Sequence, residues 1–288
     1  MANTNVALGK LGIWSMEARF ADAGLAAEAA AELDELGFGA LWVPGGFGGD
    51  ITGDVDRLLA ATRRIALATG IINIWKHEPA EIADWWKSLP MASQSRLMLG
   101  VGISHGPVIG EAWGKPIEKM WGYIAELTAL GVPSEHLCVA ALGPRMVELS
   151  GRTTAGAHPY LVTPEHTAQA RAILGPDKLL APEQGVILEA DPARARELAL
   201  GALKVYRELP NYRNSWLRLG FTEDDIAQTS DRLVDGLFAW GPMARIVERV
   251  QAHWQAGADH VCLQVITATP LDLSSARAAW RELAAALL

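Results

Sequence analysis

The chain has 288 residues, half of them apolar and a fifth charged, a length that fits one large α/β or barrel domain or two smaller ones. The evenly spread apolar content argues against disorder. Lys and Arg number 25 against 33 Asp and Glu, and the resulting net charge of −8 repels phosphodiester backbones and anionic lipid, which argues against a nucleic-acid or membrane-surface role.

In chain order, the opening MANTNVALGK has neither a basic start nor an apolar signal core. No apolar run approaches the ~18–20 residues of a membrane helix. A cytoplasmic protein is expected, with Cys138 and Cys262 as buried, reduced thiols rather than a disulfide. Short apolar runs then alternate with helical patterns. The runs are Val6–Trp14, Ala40–Val43, Ile65–Ile74, Leu97–Ile103, His136–Leu142, Thr153–Leu161, Gly185–Glu189 and His260–Ile266. Between the first two, Phe20–Leu36 repeats its apolar residues every three or four positions with residues of high helix propensity. The segments Glu35–Val43 and Gln255–Val265 carry the same punctuation, a glycine closing a helix before a turn and a strand.

Strand candidates separated by helices and lacking hairpin signals require a parallel sheet. Eight of them suit a closed (β/α)8 barrel, with a doubly wound open sheet as the alternative. No linker divides the chain, so one domain over residues 1–288 is expected. The long stretch from Asp191 to Asp259 holds further helical patterns and reads as an elaborated last crossover forming a cap or an interface.

In a barrel the C-terminal strand ends carry function. Trp14 and Trp75 fall at or just past two such ends, with Trp113 in the loop after the fourth run. They offer either an aromatic wall for a flat heterocycle or a plug for the barrel rim. Trp85, Trp86, Trp121, Trp254 and Trp280 lie in helical patterns and read as packing residues. Glycines mark the ends LMLGVGISHGP and VAALGPRMVELSG, where backbone can approach a ligand. Gly143-Pro144 opens a helix whose free N–H groups suit an anion. His105 stands at the mouth, as a proton donor or acceptor or as a structural imidazole. His158 reads as a loop-shaping or cofactor-contacting residue. The histidines show no metal-ligand spacing, and no GxSxG or P-loop motif is present. The remaining chemistry fits a site whose cofactor does the work.

The strings RIALATGIINIW, RLMLGVGISHG, AALGPRMVELSGRTTAGAHPYLVTPEHT and AGADHVCLQV resemble the bacterial luciferase-like superfamily, and within it the oxidoreductases that use the deazaflavin coenzyme F420. The resemblance spans nearly the whole chain, with Ala140–Thr167 its most specific part. It implies a luciferase-like TIM barrel that holds flavin or deazaflavin at its mouth and is commonly a homodimer. It also implies a bulge with a non-prolyl cis peptide at Gly70-Ile71. Cofactor-arm contacts are implied at Gly102, Ile103, Ser104 and Gly106 and at Ala141, Leu142, Gly143 and Pro144. His105 falls where several relatives place a glutamate acid. Gly45 and Gly46 replace an acidic residue or His that relatives often carry after strand two.

The expected function is hydride transfer between F420 and a small, non-phosphorylated organic substrate that meets Trp14, Gly45, Gly46, Trp75 and Trp113. The alternatives are an FMN-dependent monooxygenase and a non-catalytic cofactor-binding protein.

Overall fold

The computed structural model describes residues 4–46 and 48–288; the first three residues of the opening segment, and Phe47 of the GGFGGD loop, lie outside it. Among the described residues ten strands are present, all in parallel register: β1 (Leu11–Trp14), β2 (Ala40–Gly45), β3 (Ala66–Asn73), β4 (Leu97–Gly102), β5 (Leu137–Val139), β6 (Gly156–Ala157), β7 (Leu179–Leu180), β8 (Glu183–Ile187), β9 (Phe238–Trp240) and β10 (Val261–Val265). From β1 the sheet runs through β2, β3, β4, β5 and β6 to β7, and in the other direction through β10 and β8 to β9. The two branches meet because Ala181 and Pro182 join β7 to β8: the Glu183 N–H bonds Pro159 O on one side, and Pro182 O accepts from the Cys262 N–H on the other. The strands and intervening helices make the expected luciferase-like TIM-barrel fold.

Strand alternation places the core. Leu41 and Val43 of β2, Leu67 of β3, Leu97 and Leu99 of β4 and Val261 and Leu263 of β10 pack outward against the helices. Their neighbours Ala40, Trp42, Ala66, Ala68, Met98, Cys138 and Cys262 form a second cluster inside the barrel, as the two-residue side-chain period requires. Small alanines on β2 and β3 leave room for the fully buried indole of Trp42. Both cysteines are free and buried.

The punctuation read from sequence is present. Gly37 caps helix Ala23–Leu36 in the left-handed region at φ 94°, and Gly257, past helix Met243–Gln255, has φ 101°. The last crossover contains helices Pro192–Leu203, Pro210–Arg218, Glu223–Gln228 and Asp231–Leu237. It also contains β9, which pairs with β8. Its third cluster, around Leu203, Trp216, Leu237 and Phe238, packs onto Leu161 and Ile187 at the barrel's end. No described helix is long and apolar enough to cross a membrane.

Candidate active site

The C-terminal mouth is shaped by an irregularity in β3. Against β2, Val43 pairs Thr69 while Gly45 pairs Ile72; against β4, Ala68 pairs Met98 while Ile72 pairs Val101. One extra residue on β3 therefore faces both neighbours, which is a β-bulge. The Gly70-Ile71 peptide within it is cis. Trp14, at the end of β1, donates its indole N–H to Gly70 O at 3.1 Å.

A cavity of about 550 Å³ opens above this bulge. Most of the residues expected at the mouth line it: Gly70 and Ile71 from the bulge, Gly102 to His105 from the end of β4, Ala141 to Gly143 after β5, and His158 after β6, with Trp14, Gly46 and Trp113. Gly46 faces open space, with nothing within 4 Å of where a side chain would begin.

Four expected residues do not reach it. Gly45 is buried in β2, where a Cβ would lie 2.6 Å from Ile71 O, so the glycine permits the close approach of β2 to the bulge. Gly106 and Pro144 are the first residues of helices Gly106–Ile109 and Pro144–Thr153, set back behind their N-caps His105 and Gly143. Trp75 lies one layer back, its indole N–H donating to Ile103 O at 2.8 Å and its ring 6.0 Å from that of Trp113. The aromatic wall is therefore built from Trp14 and Trp113 together with three tyrosines that the sequence reading did not single out.

Those tyrosines are Tyr160, after β6, and Tyr206 and Tyr212 from the last crossover. The Tyr206 hydroxyl donates to that of Tyr160 at 3.5 Å, and Tyr160 donates to Gln264 Oε1 of β10 at 2.7 Å. Burial pushes all three phenols above their ordinary range, so they are neutral hydrogen-bonding groups. The crossover also contributes Asn211 and Leu209. Among the described residues the lining holds no Asp, Glu, Lys or Arg.

Two buried polar atoms in this apolar cavity lack a partner. His158, 2 % exposed, has Nδ1 at 2.7 Å from Ala181 O, while its Nε2 has no protein partner. A carbonyl can only accept, so Nδ1 carries the proton and Nε2 is a bare acceptor. Burial lowers this imidazole to about 4, which keeps it neutral. Its ring is stacked at 4.0 Å on Trp42, whose indole N–H in turn donates to His260 Nε2 at 3.1 Å. Asn73, 1 % exposed, accepts the Trp75 N–H on Oδ1 at 3.0 Å and leaves its Nδ2 donor unpartnered. An orphaned buried donor or acceptor costs roughly 1–3 kcal/mol.

His105 caps helix Gly106–Ile109 after Ser104, whose φ of 61° is left-handed. Its Nδ1 lies 3.0 Å from Asn211 Oδ1, and its ring is 5.5 Å from that of Tyr212. Burial lowers its pKa, with the Asn211 hydrogen bond opposing. Beside the turn before helix Pro144–Thr153, the Arg218 guanidinium reaches Leu142 O at 3.4 Å. Glu183, on β8 below the tyrosines, is fully buried; Oε2 accepts the Leu161 N–H at 2.9 Å, Oε1 is unpartnered, and burial raises the carboxyl to about 8. Among the described residues no group of three His, Cys, Asp or Glu side chains is gathered to hold a metal ion.

Residues 6–131 match the family described as luciferase-like monooxygenase. Among solved structures, an F420-dependent secondary alcohol dehydrogenase in complex with an F420-acetone adduct is similar at a TM-score of 0.72 and 17% identity, covering 97% of this chain and 99% of its own. The coenzyme F420 dependent tetrahydromethanopterin reductase from Methanopyrus kandleri is similar at 0.69 and 13%, covering 98% of each chain. The oxygenating constituent of 3,6-diketocamphane monooxygenase from Pseudomonas putida, in complex with FMN, is similar at 0.68 and 13%, covering 98% of this chain and 99% of its own. No match was found among curated protein sequences.

Proposed function

We propose that this chain, luciferase-like in sequence over residues 6–131 and in fold throughout, is an oxidoreductase that binds the deazaflavin coenzyme F420 at its barrel mouth and acts on a small, uncharged organic molecule. The observation that carries the reading is the orphaned pair of His158 Nε2 and Asn73 Nδ2 in a charge-free aromatic cavity beside Gly70-Ile71. The pyrimidine edge of a deazaflavin or flavin offers an N–H flanked by carbonyls. The N–H complements the His158 acceptor, and a carbonyl complements the Asn73 donor. Once the ring is bound, its chemistry is hydride transfer.

The chain's own groups divide the remaining tasks. Trp14, Trp113 and the tyrosines exclude water and present flat apolar surface. The turn at Gly143, with the N-terminus of helix Pro144–Thr153 and the Arg218 guanidinium beside it, suits the coenzyme's phosphate. His105 handles the substrate proton. A lining without Lys or Arg favours an uncharged substrate over a phosphorylated one.

The preference for F420 over FMN rests on the resemblance to the F420-using branch of the superfamily and not on any one residue. The second reading, an FMN-dependent monooxygenase, is favoured by the family description matched over residues 6–131 and uses the same orphaned pair. Purified protein supplied with oxidised or reduced F420 and a panel of alcohols, ketones and enones tests the first reading: change in coenzyme absorbance without oxygen uptake is expected. Turnover only with reduced FMN and oxygen replaces it with the second. Binding without turnover in any combination leaves a carrier protein and overturns both.

A further inference from the structure

We propose that Asn211, supplied by the last crossover, is a positioning residue that fixes His105 with its proton on Nδ1 and its Nε2 bare toward the cavity, so that His105 accepts a proton from a substrate hydroxyl. The proposal rests on the oxidoreductase reading for its redox partner but not for its geometry. Asn211 Oδ1 stands 3.0 Å from His105 Nδ1, and a carbonyl oxygen can only accept, so the imidazole must donate from Nδ1. Both residues line the cavity, and among the described residues no hydrogen-bond partner meets Nε2.

The contact joins two parts of the fold far apart in sequence: the end of β4 and helix Pro210–Arg218. Tyr212, one residue beyond Asn211, has its ring 5.5 Å from the imidazole and is itself neutral because burial raises its phenol. Tyr206 stands behind Tyr212 at 4.9 Å, and no carboxylate, Lys or Arg lines the cavity among the described residues. Nothing nearby holds a proton on Nε2. Burial also lowers the affinity of the ring for a second proton. The lowered pKa keeps the ring in its neutral form, and with the proton on Nδ1 that form presents Nε2 as a hydrogen-bond acceptor.

The ligand class that follows is an uncharged molecule with a hydroxyl on an oxidisable carbon. The hydroxyl O–H bond breaks and its proton goes to Nε2. The C–H hydrogen leaves with its electron pair to an oxidised deazaflavin, and the C–O bond becomes C=O. The substrate is oxidised by two electrons and the coenzyme is reduced by two.

The test uses the full chain without coenzyme, labelled with ¹⁵N at histidine. The His105 resonances, identified by their loss in His105→Gln, are read by long-range ¹H–¹⁵N NMR at pH 8. Wild type is expected to show Nδ1–H and an unprotonated Nε2, and adding cyclohexanol is expected to move the Nε2 resonance in the direction of a hydrogen-bonded acceptor. Asn211→Leu should shift the population toward Nε2–H. Asn211→Asp should preserve Nδ1–H and raise the His105 pKa by about 1–3 units, the effect of a carboxylate at this range; a merely structural Asn211 would change neither. Nε2–H in the wild type, an unchanged tautomer in Asn211→Leu with its folded spectrum intact, or an Nε2 resonance unmoved by cyclohexanol overturns the proposal. None of these readings depends on which coenzyme binds.

Discussion

At the scale of single residues, the proposed coenzyme site rests on two buried hydrogen-bonding groups without a protein partner. His158 was legible as a mouth residue because it lies toward the end of the sixth apolar run. Its bare Nε2 was not, because that depends on Ala181 O, 23 positions on, taking the other nitrogen. Asn73 was passed over inside an apolar string, since nothing local marks a strand asparagine as unpartnered. The burial of His158 gives the site a specific pH response. With the imidazole lowered to about 4, coenzyme affinity is expected to stay flat from pH 8 down to about 5 and to fall as Nε2 gains a proton below that. Fluorescence titration at a series of pH values checks this; a decline centred near 6.5, the ordinary value for histidine, would contradict it. Tyr206 and Tyr212 were invisible for a different reason. They sit in a helical stretch whose periodicity shows a buried face without showing what it is buried against.

At the scale of elements, the bulge in β3 organises the mouth. Some of the glycines around it mark close strand approach. A Cβ on Gly100 would stand 1.9 Å from Thr69 O, and the Thr69 hydroxyl donates back to Gly100 O at 2.9 Å. Gly100→Ala must therefore push β4 off the bulge. A loss of about 3 kcal/mol or more is expected, at the upper end of overpacking costs, and chemical denaturation measures it. Gly46→Ala meets open space and is expected to change stability by less than about 0.5 kcal/mol. The eight sequence runs found the barrel strands because buried parallel strands read as continuous apolar runs. They missed β7, which is two residues long, and β9, which follows helix Asp231–Leu237 without a break. The pairing of β9 with β8 is a tertiary contact, and its three residues carry no periodicity of their own.

At the scale of the whole molecule, stability should peak near neutrality for identifiable reasons. Burial lowers His158 and His260 to about 4 and His253 to about 3. The unfolded chain therefore binds more protons than the folded one as pH falls through about 6.5, and stability drops toward acid. Glu183 acts in the opposite sense. Its carboxyl is raised to about 8 in the folded state against about 4.3 unfolded, so the folded chain holds the extra proton and stability falls as pH rises from about 4.3 through 8. Three histidines outweigh one carboxyl below about 6.5; above it Glu183 lowers stability up to about pH 8, and the buried thiols and phenols, raised by burial, extend the decline at higher pH. Thermal unfolding is expected to show a maximum near pH 6.5. Glu183→Gln should flatten the alkaline limb and leave the acid limb in place; an unchanged alkaline limb would contradict this account. The fold class was legible at this scale from the alternation of strand and helix, whereas the cap that closes over the mouth was legible only as an excess of helix in the last crossover.

We propose that the barrel mouth recognises the pyrimidine edge of a deazaflavin or flavin through His158 Nε2 and Asn73 Nδ2. The most direct measurement is equilibrium titration of wild type, His158→Ala and Asn73→Ala with oxidised F420 and with FMN, each variant's folding checked by its melting transition. Wild type is expected to bind F420, and each variant, still folded, to bind it about 10–100-fold more weakly, as the loss of one buried hydrogen bond requires. Wild type that binds neither coenzyme, or folded variants that bind as tightly as wild type, would contradict it.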